Sequence, residues 1–171
     1  MSNEIQIYVA DLAAYNNGKL HGTWIDATKS VEEIYDIIKT LLENSPEEDA
    51  EEFAIHDYEG FEGLNISEYE GIESAHDKAV FIEEHGALGG AVASHLGSDL
   101  DDAKRTLEDG YIGEYSDIED YAREITEGCH ELPSYIEHYI DYESMGRDME
   151  MNGDFFIIEL GYKKLHFFHN L

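Results

Sequence analysis

The chain has 171 residues, and its 40 Asp and Glu residues stand against 10 Lys and Arg, which gives a formal net charge of -30 at pH 7. Hydrophobic residues make up 42% of the chain and aromatic residues 12%, a composition that excludes a disordered acidic tail and is typical of a folded protein. Nucleic acid and anionic membranes repel such a charge, so it favours a basic protein partner.

The first predicted elements form a hairpin. Residues Glu4–Leu12 alternate apolar and polar side chains, as a half-buried strand does. The Asn-Gly pair that ends Tyr15–Gly18 is a turn signal, and Leu20–Ala27 follows as a second strand.

A helix and a third strand complete the first region. Ser30 and Glu33 have the spacing of a capping box, and apolar residues then recur at helical spacing until the chain reaches Pro46. Residues Phe53–Tyr58 predict the third strand. We therefore predict an N-terminal domain over residues 1–62, an antiparallel β-sheet plus a helix.

The middle region has mostly helical character. Ser67 with Glu70 predicts a helix start, and Ser98 predicts the cap of another helix that runs to about Asp109. Glycines interrupt the helical pattern, which favours several short helices; they are Gly71, Gly86, Gly89, Gly90 and Gly97. We predict a short-helix bundle over residues 63–108.

The last region predicts a mixed domain over residues 109–171. A short strand ends at Tyr115, and Ser116 with Glu119 predicts a capping box for the next helix. Pro133 predicts the start of a further helix that continues without a break to Met149. The segments GDFFIIEL and KKLHFF predict a terminal hairpin. The fold class expected from these elements is α+β.

One helix of this region predicts an exposed stripe of negative charge. Asp117, Asp120, Glu124 and Glu127 are separated by three, four and three residues, a spacing that places side chains along one side of a helix. The apolar residues Ile118, Tyr121, Ala122 and Ile125 lie about 100° round the same helix. The apolar side is therefore expected to pack against the core, which leaves the charged side exposed to solvent.

Acidic residues cluster in the same way at three other places. We predict that these exposed carboxylates contact the basic partner. They are Glu43, Glu47, Glu48, Asp49, Glu51, Glu52, Glu59, Glu62, Glu68, Glu70, Glu73, Asp99, Asp101, Asp102, Glu108, Asp109, Glu114, Asp117, Asp120 and Glu124.

Motifs for catalysis, cofactors and metals are weak in this sequence. His166 and His169 would face opposite sides of a strand, so a shared metal is not expected. The GALGG segment lacks the Lys-Ser/Thr ending of a phosphate-binding loop. With forty carboxylates, a pair at hydrolase spacing arises by chance. We expect no enzyme activity, no cofactor and no metal site.

The sequence predicts neither a disulfide nor a targeting or membrane-spanning segment. Cys129 is the only cysteine, so no internal disulfide is possible. The N-terminal segment MSNEIQIYVADL lacks the basic and apolar regions of a signal peptide, and no apolar run approaches membrane-spanning length. We expect a cytoplasmic protein that contacts neither membrane nor nucleic acid.

Three stretches together resemble the ArdA-type antirestriction proteins. They are IQIYVADLAAYNNGKLHGTWIDA (residues 5–27), EEFAIHDYEGF (residues 51–61) and LPSYIEHYIDYESMGRDMEMNGDFF (residues 132–156). The resemblance implies an elongated chain of three small domains that mimics B-form DNA. It also implies a homodimer, encoded on mobile genetic elements, that occupies the DNA-binding groove of type I restriction-modification enzymes and protects incoming DNA.

The resemblance places the family's antirestriction motif and a dimer contact in the third region, and we map the motif onto Leu132–Asp148. Tyrosines are also enriched at interfaces, and a structural ion pair of Arg147 with Asp148 and Asp141 is expected. The residues predicted for the dimer or the motif are Tyr111, Tyr115, Leu132, Tyr135, Tyr139, Asp141, Tyr142, Met145, Arg147 and Asp148.

Other functions stay open from the sequence. The same charge suits an acidic chaperone or regulator of other basic DNA-binding proteins. A carboxylate-based, metal-assisted hydrolase would need one catalytic pair, so that a single substitution would abolish its activity. A buffer of divalent cations would bind calcium weakly and diffusely.

Overall fold

The computed structural model describes residues 4–171, and the part of the signal-peptide prediction that concerns residues 1–3 lies outside them. The described chain forms seven helices and six strands, so the predicted α+β class is confirmed. It divides into two compact units, the first ending at Gly90 and the second spanning Ala91–Leu171. The division into three domains stays a prediction.

The first unit is built on an antiparallel sheet in which β1 is the central strand. Its strands are β1 (Gln6–Asp11), β2 (Gly22–Asp26) and β3 (Phe53–Glu59), in the order β2-β1-β3. Ile7 pairs with Ile25, and both are buried, as the alternating pattern predicts. The predicted hairpin of β1 and β2 is confirmed, although its connection contains a short helix, α1 (Leu12–Asn16).

Helix α2 (Val31–Glu43) covers this sheet, and its start is the predicted capping box. The Ser30 side chain accepts from the backbone N–H of Glu33, whose carboxylate accepts from the backbone N–H of Ser30. The apolar stripe of α2 buries Ile34 and Ile38. The helix therefore has both the cap and the buried stripe that its sequence predicted.

A buried carboxylate ties two connections of the first unit together. Asp11 is fully buried, and its Oδ1 accepts from the backbone N–H of Ala13 at 2.9 Å and of Ala14 at 3.2 Å. Its second oxygen accepts from the Ser45 hydroxyl, which lies in the α2–β3 connection. Each oxygen thus has a donor, which is the condition for burying such a group.

The middle region is helical, and some of the predicted glycine interruptions are present while others are not. Helix α3 covers Ile72–His95, but Gly86, at φ 59° and ψ -153°, leaves helical geometry, so α3 consists of two helical segments joined at a kink. Gly90 lies inside the helix, close to the backbone of Glu62, where a Cβ atom would collide. The predicted start at Ser67 is also wrong, since Ser67–Glu70 forms a turn before the helix.

The second unit contains the remaining helices and a second antiparallel sheet. The helices are α4 (Leu100–Asp109), α5 (Ile118–Cys129), α6 (Ser134–Glu137) and α7 (Tyr142–Met151). The strands are β4 (Tyr111–Tyr115), β5 (Phe155–Gly161) and β6 (Lys164–His169), in the order β4-β6-β5. The predicted terminal hairpin is confirmed by the pairing of β5 with β6.

Aromatic rings form the core beneath this second sheet. Tyr121 of α5 packs between Phe155 and Phe167, with ring centroids 4.8 Å and 4.5 Å away. Tyr115 joins the same cluster at its edge. Because each buried aromatic side chain contributes about 1.5–3 kcal/mol, a few rings supply a large part of what holds this small unit together.

Two predicted caps and one predicted helix are wrong in this unit. Asp99 and Asp117 cap α4 and α5, where the sequence offered the adjacent Ser98 and Ser116. The continuous helix after Pro133 is instead two helices, α6 and α7, because Asp141 leaves helical geometry and caps α7. In each case an Asp side chain accepts a backbone hydrogen bond that fixes the helix start.

The described residues contain no helix that is both long enough and apolar enough to cross a membrane.

A pair of glycine substitutions tests the packing of α5 against α7. A Cβ atom on Gly146 would lie 2.9 Å from the carbonyl oxygen of Ile118, whereas the space around Gly128 is open. We expect Gly146→Ala to lower the free energy of unfolding by about 1–2 kcal/mol through overpacking. Gly128→Ala should instead raise it by about 0.5–1 kcal/mol through helix propensity. Urea denaturation measures both, and equal effects would contradict this packing.

Candidate partner-binding surface

The carboxylates of this chain lie almost entirely on the surface. Every Asp and Glu is exposed except one that is buried, Asp11, and four that are half-buried: Glu47, Glu70, Asp117 and Glu119. Exposure keeps these charges hydrated and avoids the large penalty of burying them. The acidity of the composition is therefore a property of the folded surface.

Two of the predicted acidic clusters lie in the first unit. One occupies the end of α2 and its connection to β3, and the other runs from the end of β3 into the first turn of α3. Their members are Glu43, Glu47, Glu48, Asp49, Glu51 and Glu52, and then Glu59, Glu62, Glu68, Glu70 and Glu73.

The other two clusters lie in the second unit. One occupies the two ends of α4, and the other follows β4 into α5. Their members are Asp99, Asp101, Asp102, Glu108 and Asp109, and then Glu114, Asp117, Asp120 and Glu124. That these residues bind a partner stays a prediction.

Several of these acids also stabilise the helices that carry them. Asp99 Oδ1 accepts from the backbone N–H groups of Asp101 and Asp102, each at 3.0 Å. Asp117 Oδ1 accepts in the same way from Asp120 at 2.9 Å. Negative charge at a helix N-terminus is favourable because the helix dipole is positive there. Part of the acidic density is therefore locally stabilising rather than only repulsive.

The scarce cations pair with acids of their own surface. Six of them lie within 4.0 Å of a carboxylate: Lys19, Lys39, Lys78, Arg105, Arg123 and Arg147. Most of these pairs are exposed, and exposed pairs contribute at most about 1 kcal/mol each. The cations thus offset single carboxylates and leave the surface strongly negative.

Glu70 differs from its exposed neighbours because its carboxylate already has an ion-pair partner and hydrogen-bond donors within the first unit. Its Oε1 lies 2.6 Å from Lys78 Nζ and accepts from the Ser74 hydroxyl, while Oε2 accepts from the backbone N–H of Ser67. Burial raises the pKa of Glu70, but the hydrogen bonds from Lys78, Ser74 and Ser67 outweigh it, and the pKa lies below its ordinary value. Glu70 is therefore less free to meet a partner.

The predicted stripe on α5 is present as a helix side that carries exposed acids. Asp120, Glu124 and Glu127 are exposed, while Tyr121 and Ala122, further round the helix, are buried. The fourth member, Asp117, is the half-buried cap of the helix. The sequence spacing thus predicted which side chains of α5 face solvent.

Tyrosine hydroxyls contact this helix side and the neighbouring strand. The Tyr115 hydroxyl donates to Glu124 Oε1 at 3.4 Å, and burial together with the Glu124 carboxylate raises the pKa of Tyr115. Tyr111 is 42% exposed, and its hydroxyl lies 3.0 Å from Nδ1 of the buried His166. Tyr111 is therefore open to a partner, whereas Tyr115 mostly serves the aromatic core.

The predicted motif region mixes exposed and buried side chains. Tyr135 and Tyr139 are exposed, Tyr142 is buried, and Leu132 and Met145 are half-buried.

The expected ion pair of this region has a different partner. Arg147 pairs with Glu143, while Asp148 is exposed on the same helix and Asp141 caps it. Hydrogen bonds from the backbone and hydroxyl of Ser144 lower the pKa of Asp141. The spacing of four residues between Glu143 and Arg147 explains the choice, because it brings the two side chains together on one helix side.

The predicted clusters omit exposed acids that α3 carries. Asp77, Glu83 and Glu84 are exposed on this helix, in the part before Gly86 that the sequence already predicted to be helical. The sequence gave no signal for the contact of the Tyr35 hydroxyl with Glu73 Oε1 at 3.2 Å, which joins α2 to α3. Such contacts depend on tertiary packing, which local periodicity does not encode.

Among residues 4–171, no group of three or more His, Cys, Asp or Glu side chains is arranged to hold a metal ion.

Comparison with known proteins gives a family match for nearly the whole chain. Residues 7–164 match the family model described as antirestriction protein (ArdA). No curated protein matches the chain.

Replacing Glu70 by Gln tests its engagement within the first unit. We expect the free energy of unfolding at pH 7 to fall by about 1–2 kcal/mol, since charge-assisted hydrogen bonds are lost. The folded-state pKa of Glu70 lies below the ordinary value of 4.5, so the difference should be full above about pH 5.5 and vanish as the pH falls through the folded pKa.

Urea denaturation between about pH 3 and pH 7 measures this difference. The matched control is Glu59→Gln, at an exposed acid of the same cluster, which should change the free energy of unfolding by less than about 0.5 kcal/mol. A Glu70→Gln effect that grew on acidification would contradict the assignment.

Proposed function

This chain belongs to the ArdA family of antirestriction proteins, and we propose that it inhibits type I restriction-modification enzymes by mimicking DNA. In this proposal the inhibitor occupies the groove of the methyltransferase core that normally holds the duplex. Incoming mobile DNA is then spared. The protein acts in the cytoplasm, as a homodimer, without a cofactor and without binding nucleic acid itself.

The observation that carries this proposal is the exposure of the carboxylates. Both units present them, and among the predicted cluster members all are exposed except the half-buried Glu47, Glu70 and Asp117. A net charge of -30 far exceeds the charge of about 2–8 that keeps a small domain soluble. The surplus supports a role in recognition.

The proposed mechanism is competition between carboxylates and phosphates for the same cations. Duplex DNA carries one charge per ~1.7 Å of its axis, and the Lys and Arg residues of a DNA-binding groove are arranged to meet that density. A folded surface of carboxylates can meet the same side chains. No bond needs to be made or broken, so a stoichiometric inhibitor rather than an enzyme suffices.

Fixed side chains make such competition more effective. Capping hydrogen bonds restrain Asp99 and Asp117, and the Tyr115 hydroxyl contacts Glu124. A charge that is already positioned loses less conformational freedom on binding. The local contacts described above therefore support affinity as well as folding.

The proposed dimer contact lies in the motif region of the second unit. Tyr135 is 73% exposed and Tyr139 is 88% exposed. Tyrosines are enriched at interfaces, where the ring is buried and the hydroxyl finds a hydrogen-bond partner. A second copy of the chain would bury them.

Neutralising a group of acids tests the proposed mimicry. The variant Glu48→Gln, Asp49→Asn, Glu51→Gln lies in an exposed connection, so folding should be spared. We expect about tenfold weaker competition with DNA for a purified type I methyltransferase core at low salt, because each surface pair contributes up to about 1 kcal/mol. The salt dependence should become shallower, and each single change should matter little.

The matched control removes three exposed charges outside the predicted clusters, in the variant Glu150→Gln, Asp154→Asn, Glu159→Gln. It should compete within about twofold of the unsubstituted chain. An equal loss in both variants would show that the competition depends on net charge alone and not on the clusters. Abolition by one single substitution would contradict mimicry and favour a catalytic pair.

Replacing Tyr139 by Ser tests the proposed dimer. Loss of a buried aromatic contact should shift the molecular mass measured by light scattering from dimer to monomer. Tyr162 is the matched control, since it is 89% exposed but lies outside the motif region, and Tyr162→Ser should stay dimeric. A monomeric mass for the unsubstituted chain at all concentrations would refute the dimer.

A further inference from the structure

A small cavity with aromatic walls lies beside β3 in the first unit. Its volume is about 340 Å³, and it is lined by Tyr15, Ile55, His56, Tyr58, Ile66 and Glu68. Three of these side chains are aromatic and one is a carboxylate. Glu68 belongs to a predicted acidic cluster, but neither the clusters nor the family match assigns a role to the aromatic walls.

The aromatic walls are held in place by their neighbours. The rings of Tyr15 and His56 meet edge to face, with centroids 4.6 Å apart and planes at 79°. The ring of Tyr58 is backed by the buried Phe61 at 5.8 Å, and its hydroxyl donates to Asn65 Oδ1. The cavity therefore has a preformed aromatic lining.

Apolar side chains and a carboxylate complete the cavity. Ile55 and Ile66 are buried and supply its apolar lining. The carbonyl oxygen of Glu68 accepts from the backbone N–H of Ile55 at 3.1 Å, which anchors Glu68 beside β3. The Glu68 side chain is exposed, with Oε1 3.7 Å from His56 Nε2. An anion thus stands at the edge of the aromatic lining.

Aromatic faces with a carboxylate beside them suit a cation. Ring faces carry negative electrostatic potential and attract ammonium and guanidinium groups, and Arg is the more frequent partner. A guanidinium group is planar, stacks on aromatic rings and donates in a fork to a carboxylate, which an ammonium group cannot do. The cavity combines the two features that this group uses.

We propose that this cavity binds the guanidinium group of an arginine side chain from the inhibited enzyme. In the complex, the guanidinium lies against the rings of Tyr15 and Tyr58 and donates to Glu68. The identity of the partner rests on the proposed function, whereas the ability of the cavity to bind a guanidinium does not. The contact adds to mimicry, because phosphates alone give an arginine no aromatic ring to stack on.

Titration of the full chain with arginine amide tests the cavity without any enzyme. At constant ionic strength, we expect saturable NMR shift changes in the millimolar range at Tyr15, His56, Tyr58 and Glu68. Tyr15→Phe keeps the ring face and should keep the response, whereas Tyr15→Leu should lose it. Tyr69→Leu is the matched control, since Tyr69 is 80% exposed in the same unit but lies outside the cavity.

Three results would overturn the cavity as a guanidinium site. Shift changes that spread over the acidic surface, or that persist unchanged in Tyr15→Leu, would show that arginine amide only follows the overall charge. An absent response would overturn it as well.

Competition with DNA for a type I methyltransferase core tests the enzyme as the source of the arginine. We expect Tyr15→Leu to weaken competition about two- to fivefold and the control Tyr69→Leu to leave it unchanged. Equal competition by Tyr15→Leu and the unsubstituted chain would refute this partner. If the unsubstituted chain did not compete at all, the proposed function and this partner would both fall, while the titration would still judge the cavity.

Discussion

Mutual repulsion among carboxylates is the constraint on which the rest of this structure depends. In water, two charges about 8 Å apart repel by only ~0.5 kcal/mol, but a net charge of -30 sums many such terms over a small surface. Each unit has an apolar core that opposes this repulsion, built on Ile7 and Ile34 in the first and on Phe155 and Phe167 in the second. A chain with this net charge therefore needs large, well-packed apolar side chains to stay folded.

Helix termini reduce the repulsion locally. An Asp at the N-cap stabilises a helix by about 1 kcal/mol, and Asp99, Asp117 and Asp141 all occupy such positions. Serine would serve as a cap equally well, and it stands next to two of them. Using Asp instead adds charge at positions where the helix dipole favours it and where backbone hydrogen bonds fix its direction. The same residues thus stabilise the fold and hold negative charge in defined places.

Much of this architecture could be predicted from the sequence, because it rests on local signals. The capping box of α2 and the terminal hairpin of β5 and β6 both appear where they were predicted. In α3 the kink at Gly86 follows a local signal, whereas Gly90 could not be placed from the sequence, since a Cβ atom there would collide with the backbone of Glu62, a contact distant in sequence. For the candidate site, exposure followed from helical spacing, whereas the pairing of Glu70 with Lys78 and the cavity beside Tyr15 required the tertiary structure.

Charge and cavity would contribute to recognition at different distances. The field of the exposed carboxylates acts over about 10 Å at moderate salt and speeds the approach of any basic groove, so by itself it selects weakly among basic proteins. A short-range contact such as a guanidinium stacked on Tyr15 and paired with Glu68 depends on position to within an ångström, and salt screens it less. An inhibitor that must find one basic enzyme among many needs both terms, because the first sets the rate of encounter and the second decides which encounters last.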